Sequence, residues 1–450
     1  MRYHPCWFKW LGIAALVSGL TTQAATSEQP FPTPEGAALH AALAQEVGTA
    51  GKSAWRPVLS YLARLHGLSV RPATGYFKHA YESLGPGYMR GRAFGHWDLT
   101  HERLDTLRAS PEHVRNQIHN ELAGQQADGL IPGLVTFGIS GHPGFETIIE
   151  SDQPTFKPFK GFPPLWVIAV EAYVEKTGDV GVLGEALGAL KKQIGWFEAK
   201  RSAPNGGFYY LDVVSDVWES GVDEGIRFIN RPPAPAACVD ATAHVYLMYD
   251  HAARWSEKLR QPADVWKTRA AALQRFISEE LWDEQSGFFY DRWSVRDPAT
   301  RHLSFEGMWP VVVGAASPEQ ARRVIEEHLL NSREFFTPHP LTTVALSDAK
   351  FELRMWRGPV WNSMTYWAAR GCVRYGHREA ARKLLESALD ATAAEFARSG
   401  TIWEFYHPMR EEPSALKRKT SGRDVPCRDY VGHNPLFAMA ALWRETAAKP

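Results

Sequence analysis

The feature that most constrains this chain is the rhythm of its connections. From about residue 36 onward, apolar residues recur at helical spacing and strand-like alternation is scarce. The pattern predicts helices near 52–67, 97–109, 111–126, 162–177, 180–200, 239–257, 264–281, 305–314, 317–330, 360–375, 377–398 and 433–447. Stretches such as Arg378 to Ala397 combine strong helix formers with one apolar face. Ser110-Pro111-Glu112 and Ser317-Pro318-Glu319 read as N-caps followed by proline at the first helical position. Helices 97–109 and 111–126 almost touch, as do 162–177 and 180–200, 305–314 and 317–330, and 360–375 and 377–398. Between such pairs run long loops, at about 127–161, 201–238, 282–304, 331–359 and 399–432. Structureless loops of this length are uncommon in compact domains and are usually functional.

Every long loop precedes the first helix of the next hairpin. If the hairpins close into a ring, all these loops emerge on one face. That organisation is an all-α (α/α)6 barrel, a toroid of six helical hairpins. An open solenoid of helix pairs is the competing arrangement, and the lack of a repeat of fixed period counts against it. The expected division is a signal peptide at 1–24, an N-terminal extension at 25–51 and the barrel, carrying the catalytic loops, at 52–450.

The chain has 450 residues, long for one ordinary domain but within the range of barrels. Lys plus Arg and Asp plus Glu balance at 50 each, which leaves no electrostatic case for a nucleic-acid partner. Most of the 17 Trp fit an aromatic core between packed helices, and a minority fit flat platforms on the rim. At the start, Arg2 and Lys9, the apolar run Trp10 to Leu20 and the small-x-small site Thr22-Gln23-Ala24 read as an export signal cleaved after Ala24. The run is shorter than the ~20 residues of a membrane span. The expectation is a periplasmic or secreted protein with no membrane association after cleavage. Cys6 leaves with the signal, and Cys238, Cys372 and Cys427 allow at most one intrachain disulfide.

Two acidic loops carry the chemistry, Trp218-Glu219-Ser220-Gly221-Val222-Asp223 and Thr401-Ile402-Trp403-Glu404-Phe405-Tyr406. A carboxyl beside apolar rings has its charged form disfavoured and becomes a better proton donor near neutrality. Two carboxyls facing one sugar are the working parts of glycoside hydrolysis, one protonating the leaving oxygen and the other activating water. Asp223 and Glu404 stand 181 residues apart, so only a fold that gathers distant loops can pair them. Rival chemistries find little support. His96 and His101 are off the spacing that sets two metal ligands on one helix face, and there is no Cys-x-x-Cys, phosphate-cradling loop or Gly-x-Ser-x-Gly elbow. No metal or cofactor is expected.

At these loops the chain resembles the inverting α-glycosidases related to trehalase, glycoside hydrolase families 37 and 63, including the branch that acts on mannosylglycerate and glucosylglycerate. The resemblance runs from roughly residue 85 to 447. Arg90-Gly91-Arg92 followed by Trp97-Asp98 is similar to a sugar-contacting segment of trehalases, which implies that Arg90, Arg92, Trp97 and Asp98 bind substrate. The stretch 218–223 resembles the element that supplies the general acid, so the resemblance gives that role to Asp223, with Arg227 at the position of the element's following Arg. Val239-Asp240 matches the opening of the next inner helix. Trp356 to Asn362 is closer to the family 63 form and implies substrate contacts for Arg357 and Trp361. Trp403 to Pro408 resembles the general-base segment, giving Glu404 the base role and Trp403 and Tyr406 places beside the sugar. Val222 and Glu224-Gly225-Ile226 depart from the pattern, and the basic stretch Arg410 to Arg428 stands where trehalases carry a glycine-rich lid.

The expectation is an inverting α-glucosidase or α-mannosidase for a small carbohydrate, with trehalose, a glycosylglycerate and a short α-oligosaccharide as candidate substrates. Inversion calls for carboxyls about 6.5–9.5 Å apart. A glycerate would call for a cation near the acid, from Arg227 or the basic 410–428 loop. Two alternatives come from other classes. A helical-barrel polysaccharide lyase is suggested by Tyr406 and His407 beside Glu404, and a non-catalytic carbohydrate-binding protein by the departures at 222 and 224–226.

Overall fold

The computed structural model describes residues 29–138, 154–419 and 425–447, apart from the side chain of His96. The region 1–24, read as a signal, lies outside them. The inner helices are His96–Thr106, Trp166–Thr177, Val239–Lys258, Trp309–Val313, Asn362–Arg374 and Leu436–Ala447. Each packs on the next, and Leu436–Ala447 returns to His96–Thr106 to close the ring. Between the second and third members, Trp166 meets Trp255 edge-on with centroids 6.2 Å apart. The result is the expected (α/α)6 barrel.

Five outer helices follow their inner partners: Pro111–Ala123, Val180–Lys200, Asp264–Glu280, Pro318–Arg323 with its wide-turn continuation Val324–Leu329, and Arg378–Ser399. The sixth comes from the other end of the chain. Helix Arg56–Ser69 packs against Arg378–Ser399 and Leu436–Ala447, so the last hairpin is built from both ends of the fold. Ser317 forms a full capping box with Gln320, whereas Ser110 holds its N-cap place with no side-chain hydrogen bond. A helix at Pro34–Val47, within the extension, was not foreseen. It buries Leu39, Leu43 and Val47 against Arg56–Ser69. The two helices approach so closely that a Cβ on Gly36 would lie 2.3 Å from the Gly67 carbonyl oxygen.

Aromatic rings fill the barrel axis. Trp356 stacks on Trp361 at 3.9 Å and 4°, and Trp97 lies 5.4 Å from Trp356 and 6.5 Å from Trp309. All four are at most 2% exposed. Aromatic side chains bury much apolar area with few rotamers to lose, and here they form a rigid floor beneath the long loops. Those loops all lead into the N-terminal ends of inner helices, as the spacing predicted. Short strand pairings brace them, notably 93–95 with 134–137 and 134–137 with 154–155. Cys238, Cys372 and Cys427 are all buried as thiols, and no two of them are joined in the one disulfide their number allowed.

Candidate active site

The loop around Asp223 is anchored by its neighbour Glu219, which is fully buried. Glu219 accepts from Arg201 through both oxygens, at 2.7 and 2.8 Å, and from the backbone N–H groups of Gly161 and Leu211. A buried carboxylate satisfied by four donors holds its backbone in one place. A second tie comes from Arg357, whose Nε donates to the Glu224 carbonyl at 2.7 Å. The Trp-Arg-Gly-Pro motif therefore positions the acid loop.

Glu404 sits on a segment sandwiched between two others. Tyr406 exchanges backbone hydrogen bonds with Val360, and the Glu404 N–H donates to the Cys427 carbonyl. Its carboxylate, 2% exposed, takes both arms of Arg418 at 2.6 and 2.8 Å and the Cys427 N–H at 3.1 Å. Burial opposes ionisation of Glu404, but Arg418, the Cys427 N–H and the nearby Lys419 charge together hold its carboxyl below the ordinary value. The next residue, Lys419, forms an ion pair with Asp223. Consecutive cations thus reach the two carboxylates that the sequence singled out, which places both at one end of the barrel. Lys417, exchanging backbone hydrogen bonds with Leu353 and Met355, anchors this basic stretch.

A third carboxylate joins them. Asp98 is 3% exposed, accepts from the Tyr430 hydroxyl at 2.5 Å and lies 3.3 Å from His433 Nε2. Burial pushes its carboxyl up to about 7 against the Tyr430 hydrogen bond, and the negative charges of Glu404 and Asp223 add to the rise. Tyr88 lies over Arg418, 5.9 Å from ring centroid to guanidinium. Its phenol is raised chiefly by burial and further by the fields of Glu404, Asp98 and Asp223. Loop 85–88 reaches this position because glycine permits a very close approach: a Cβ on Gly87 would lie 1.8 Å from the Arg428 carbonyl oxygen.

Other expected contacts fall elsewhere. Arg227 is buried, with its guanidinium on Asp240 at 2.5 Å, Asp291 at 2.7 Å and Glu306 at 3.1 Å, so it braces the acid loop against the inner helix Val239–Lys258 and presents nothing to a sugar. Asp240 and Asp291, grouped with Cys238 as potential metal ligands, are already occupied by that guanidinium. Trp97 and Trp361 belong to the floor, and the Trp361 indole donates to the Met355 carbonyl. Trp403 points towards helix Arg378–Ser399, donating to Glu395 at 3.0 Å. Arg92 is half-buried near Arg71 and Tyr81, and Arg90 is exposed in a turn with φ of 54°. The Tyr406 hydroxyl donates to Asn434 and accepts from the Trp403 N–H, while His407 Nδ1 accepts from the Met409 N–H. The Tyr406 hydroxyl is therefore committed to holding the loop. Trp218 is half-buried beneath the Lys419 ammonium, 4.1 Å from its ring centroid. Tyr88, Arg418, Lys419 and Tyr430 were not singled out, and the one visible signal for two of them was the basic run Lys417-Arg418-Lys419.

A closed helical barrel with loop carboxylates gathered at one mouth defines the scaffold of a helical-barrel glycosidase. The chain belongs to the mannosylglycerate hydrolase MGH1-like glycoside hydrolase family, whose domain model matches residues 94–424. Mannosylglycerate hydrolase from Rubrobacter radiotolerans is 20% identical over 386 residues, covering 69% of this chain and 85% of that protein. Cytosolic neutral trehalase from Kluyveromyces lactis is 30% identical over 122 residues, 26% of this chain, and the match spans only 16% of the trehalase. Among solved structures, GH63 mannosylglycerate hydrolase from Thermus thermophilus in complex with Tris and D-glycerate superposes with a TM-score of 0.59 at 17% identity, covering 82% of this chain and 97% of that one.

Proposed function

We propose that this chain is an exported inverting α-glycosidase that cleaves a glucoside or mannoside of a small acidic aglycone, a glycosylglycerate being the favoured substrate. Asp223 gives a proton to the leaving oxygen, and Glu404 takes one from a water on the opposite face of the sugar. The observation that carries the reading is the meeting of Asp223 and Glu404, from loops 181 residues apart, at Lys419 and Arg418. The lowered carboxyl of Glu404 suits a base that must be ionised. Asp98, held at Oδ1 by the Tyr430 hydroxyl, suits a partner for a sugar hydroxyl. An acidic aglycone is favoured over trehalose because two ammoniums, Lys419 and Lys160, lie by the acid. A mannosylglycerate hydrolase among the relatives and D-glycerate in the Thermus complex point the same way. Export rests on the charged, apolar and small-residue pattern of 1–24.

The test follows anomeric protons by NMR while the purified protein meets α-gluco- and α-mannosylglycerate, trehalose and short α-oligosaccharides. Initial release of the β-anomer is expected, and Asp223→Asn and Glu404→Gln should each lower turnover by about 10²–10⁴-fold. Release of the α-anomer would reverse the stereochemical assignment. Sugar binding without turnover would favour the non-catalytic alternative.

A further inference from the structure

Two residues past Glu404, the Tyr406 ring forms one wall of a cavity that the chemistry above does not use. The cavity lies between helix Arg378–Ser399 and segment 406–413, with a volume of about 160 Å³, about tenfold what one water molecule requires. Two buried imidazoles reach it, His339 at 2% exposed and His407 at 4%. Their partners fix their tautomers. His407 Nδ1 accepts from the Met409 N–H at 3.1 Å, so its proton sits on Nε2. That N–H is buried and meets no acceptor, because Glu411 Oε2 stands 3.6 Å away, beyond hydrogen-bond reach. The Asn362 amide nitrogen donates to Thr392 and Asn434, each at 3.0 Å, so its oxygen accepts from His339 Nε2, also at 3.0 Å. His339 Nδ1 is thereby left with a lone pair, and no donor among the described residues reaches it. Burial lowers His339 to about 4, and lowers His407 against the pull of Glu411, so both rings are neutral at pH 7. The charged groups on the wall are engaged elsewhere. Glu395 pairs with Arg398 and accepts from the Trp403 indole, Arg398 also pairs with Glu412, and Arg410 gives Nε and Nη2 to the Pro338 carbonyl. The buried groups left for an occupant are one neutral donor and one neutral acceptor.

We propose that this cavity is a second ligand site and takes a small neutral polyol, one hydroxyl accepting from His407 Nε2 while that hydroxyl or its neighbour donates to His339 Nδ1. A hydroxyl is donor and acceptor at once, so a polyol answers both imidazoles. An ionised carboxylate has no proton for His339. A metal ion cannot bridge the two rings, since His407 Nε2 has no lone pair to give. The site does not depend on the roles of Asp223 and Glu404. Its link to them is mechanical. Tyr406 shares the Asn434 oxygen with Asn362 and exchanges backbone hydrogen bonds with Val360, so an occupant rests against the brace that holds the Glu404 segment.

The experiment is nitrogen NMR of the histidine rings in the full chain, titrated with glycerol, erythritol and D-glycerate, for the wild type, H407F and A394L. Ala394 lines the cavity from the exposed side of helix Arg378–Ser399, so leucine there fills the space, keeps both imidazoles and remains a good helix former. Before any addition, His339 and His407 should both show the form protonated on Nε2. Glycerol and erythritol should then shift His407 Nε2 and His339 Nδ1 along one saturating curve, which A394L abolishes. H407F should weaken the binding read at His339 by about three- to tenfold, the scale of one neutral hydrogen bond. A proton on His407 Nδ1, shifts that persist in A394L, or an unchanged curve in H407F overturns the proposal. Shifts confined to His433, which lies beside Asp98, or no shifts at all, mean that water alone fills the cavity and overturn it as well. Tighter binding of D-glycerate than of glycerol at these two rings would show that charge selects the occupant and would overturn the neutral class.

Discussion

Replacing Arg418 by Met removes the fork from Glu404 but keeps an apolar stem of similar reach. The two bonds, at 2.6 and 2.8 Å, end on a carboxylate only 2% exposed, so bulk water does not substitute freely. Hydrogen bonds to charged groups contribute about 1.5–3 kcal/mol each, or about 3–6 kcal/mol for the fork. The Cys427 N–H and the Lys419 charge stay, and water entering the vacated space recovers part, leaving a loss of about 3 kcal/mol. In the wild type the Glu404 carboxyl lies below its ordinary 4.5, so its pairing contributes stability that is present above pH 4.5 and lost as pH falls through the folded value. In the variant, burial acts with less opposition and the carboxyl rises above 4.5. Stability then falls at neutral pH and recovers on acidification. The acid limb of kcat/KM should move to higher pH, and urea unfolding should show a loss of about 3 kcal/mol at pH 7 that shrinks on acidification. An unmoved limb with wild-type stability would refute the buried fork. Lost stability with an unmoved limb would remove Glu404 from the role of base.

Three further outcomes follow from the same geometry. Glu219→Gln breaks the pair with Arg201 that pins the acid loop; kcat should drop about 10²-fold, the usual cost of a displacement near 1 Å, with little change in the pH profile. Arg227→Met strands Asp240, Asp291 and Glu306 in the interior and should cost about 3–5 kcal/mol at pH 7. Because burial already lifts Asp291 to about 7 against Arg227, that loss should shrink below pH 6 in denaturant titrations as the carboxyls protonate. Beneath the loops, His66 bridges Glu82 and Asp105, and His113 holds the other Glu82 oxygen. Burial opposes the charge on His66, yet Glu82 and Asp105 raise it to about 9, while His66 and His113 bring buried Glu82 down to about 2. His66 stabilises fully below pH 6.5 and loses this as pH rises through about 9; Glu82 stabilises above pH 4.5 and loses this as pH falls through about 2. Their joint contribution should peak between those limits, and Glu82→Gln should flatten the dependence of the unfolding free energy on pH.

The barrel was legible because two periodicities coincide. Apolar spacing marks the twelve helices of the ring, and loop length marks which end of each hairpin carries chemistry. The helix Pro34–Val47 escaped because its apolar stripe is only Leu39, Leu43 and Val47 in an Ala-rich stretch, and its packing rests on glycines that carry no hydrophobic signal. The acidic loops were visible as carboxylates among rings. What a sequence does not carry is direction: Trp361, Trp403 and Tyr406 flank the right motifs, yet their side chains turn into the floor, the outer helix and a backbone brace. Arg227 fell beside the right carboxylate in sequence but was claimed by three others from distant segments. Arg418 and Lys419 were hidden in a basic run, since only the folded loop shows which of its charges point inward.

The ring's last hairpin joins helix Arg56–Ser69 to helix Leu436–Ala447, and where Leu436–Ala447 returns to His96–Thr106, Asp98 meets Tyr430 and His433. The chain therefore has a seam. Before Leu436–Ala447 has docked, the inner face of His96–Thr106 lacks its neighbour on one side and Asp98 lacks its contacts with Tyr430 and His433. Folding must finish by a contact between segments over 350 residues apart in sequence, late in a process dominated elsewhere by local hairpins. Removing the final helix would open the whole circle and disable the mouth with it. Moving residues 34–69 to follow 447 by circular permutation would turn the seam into a sixth local hairpin connection and should speed folding.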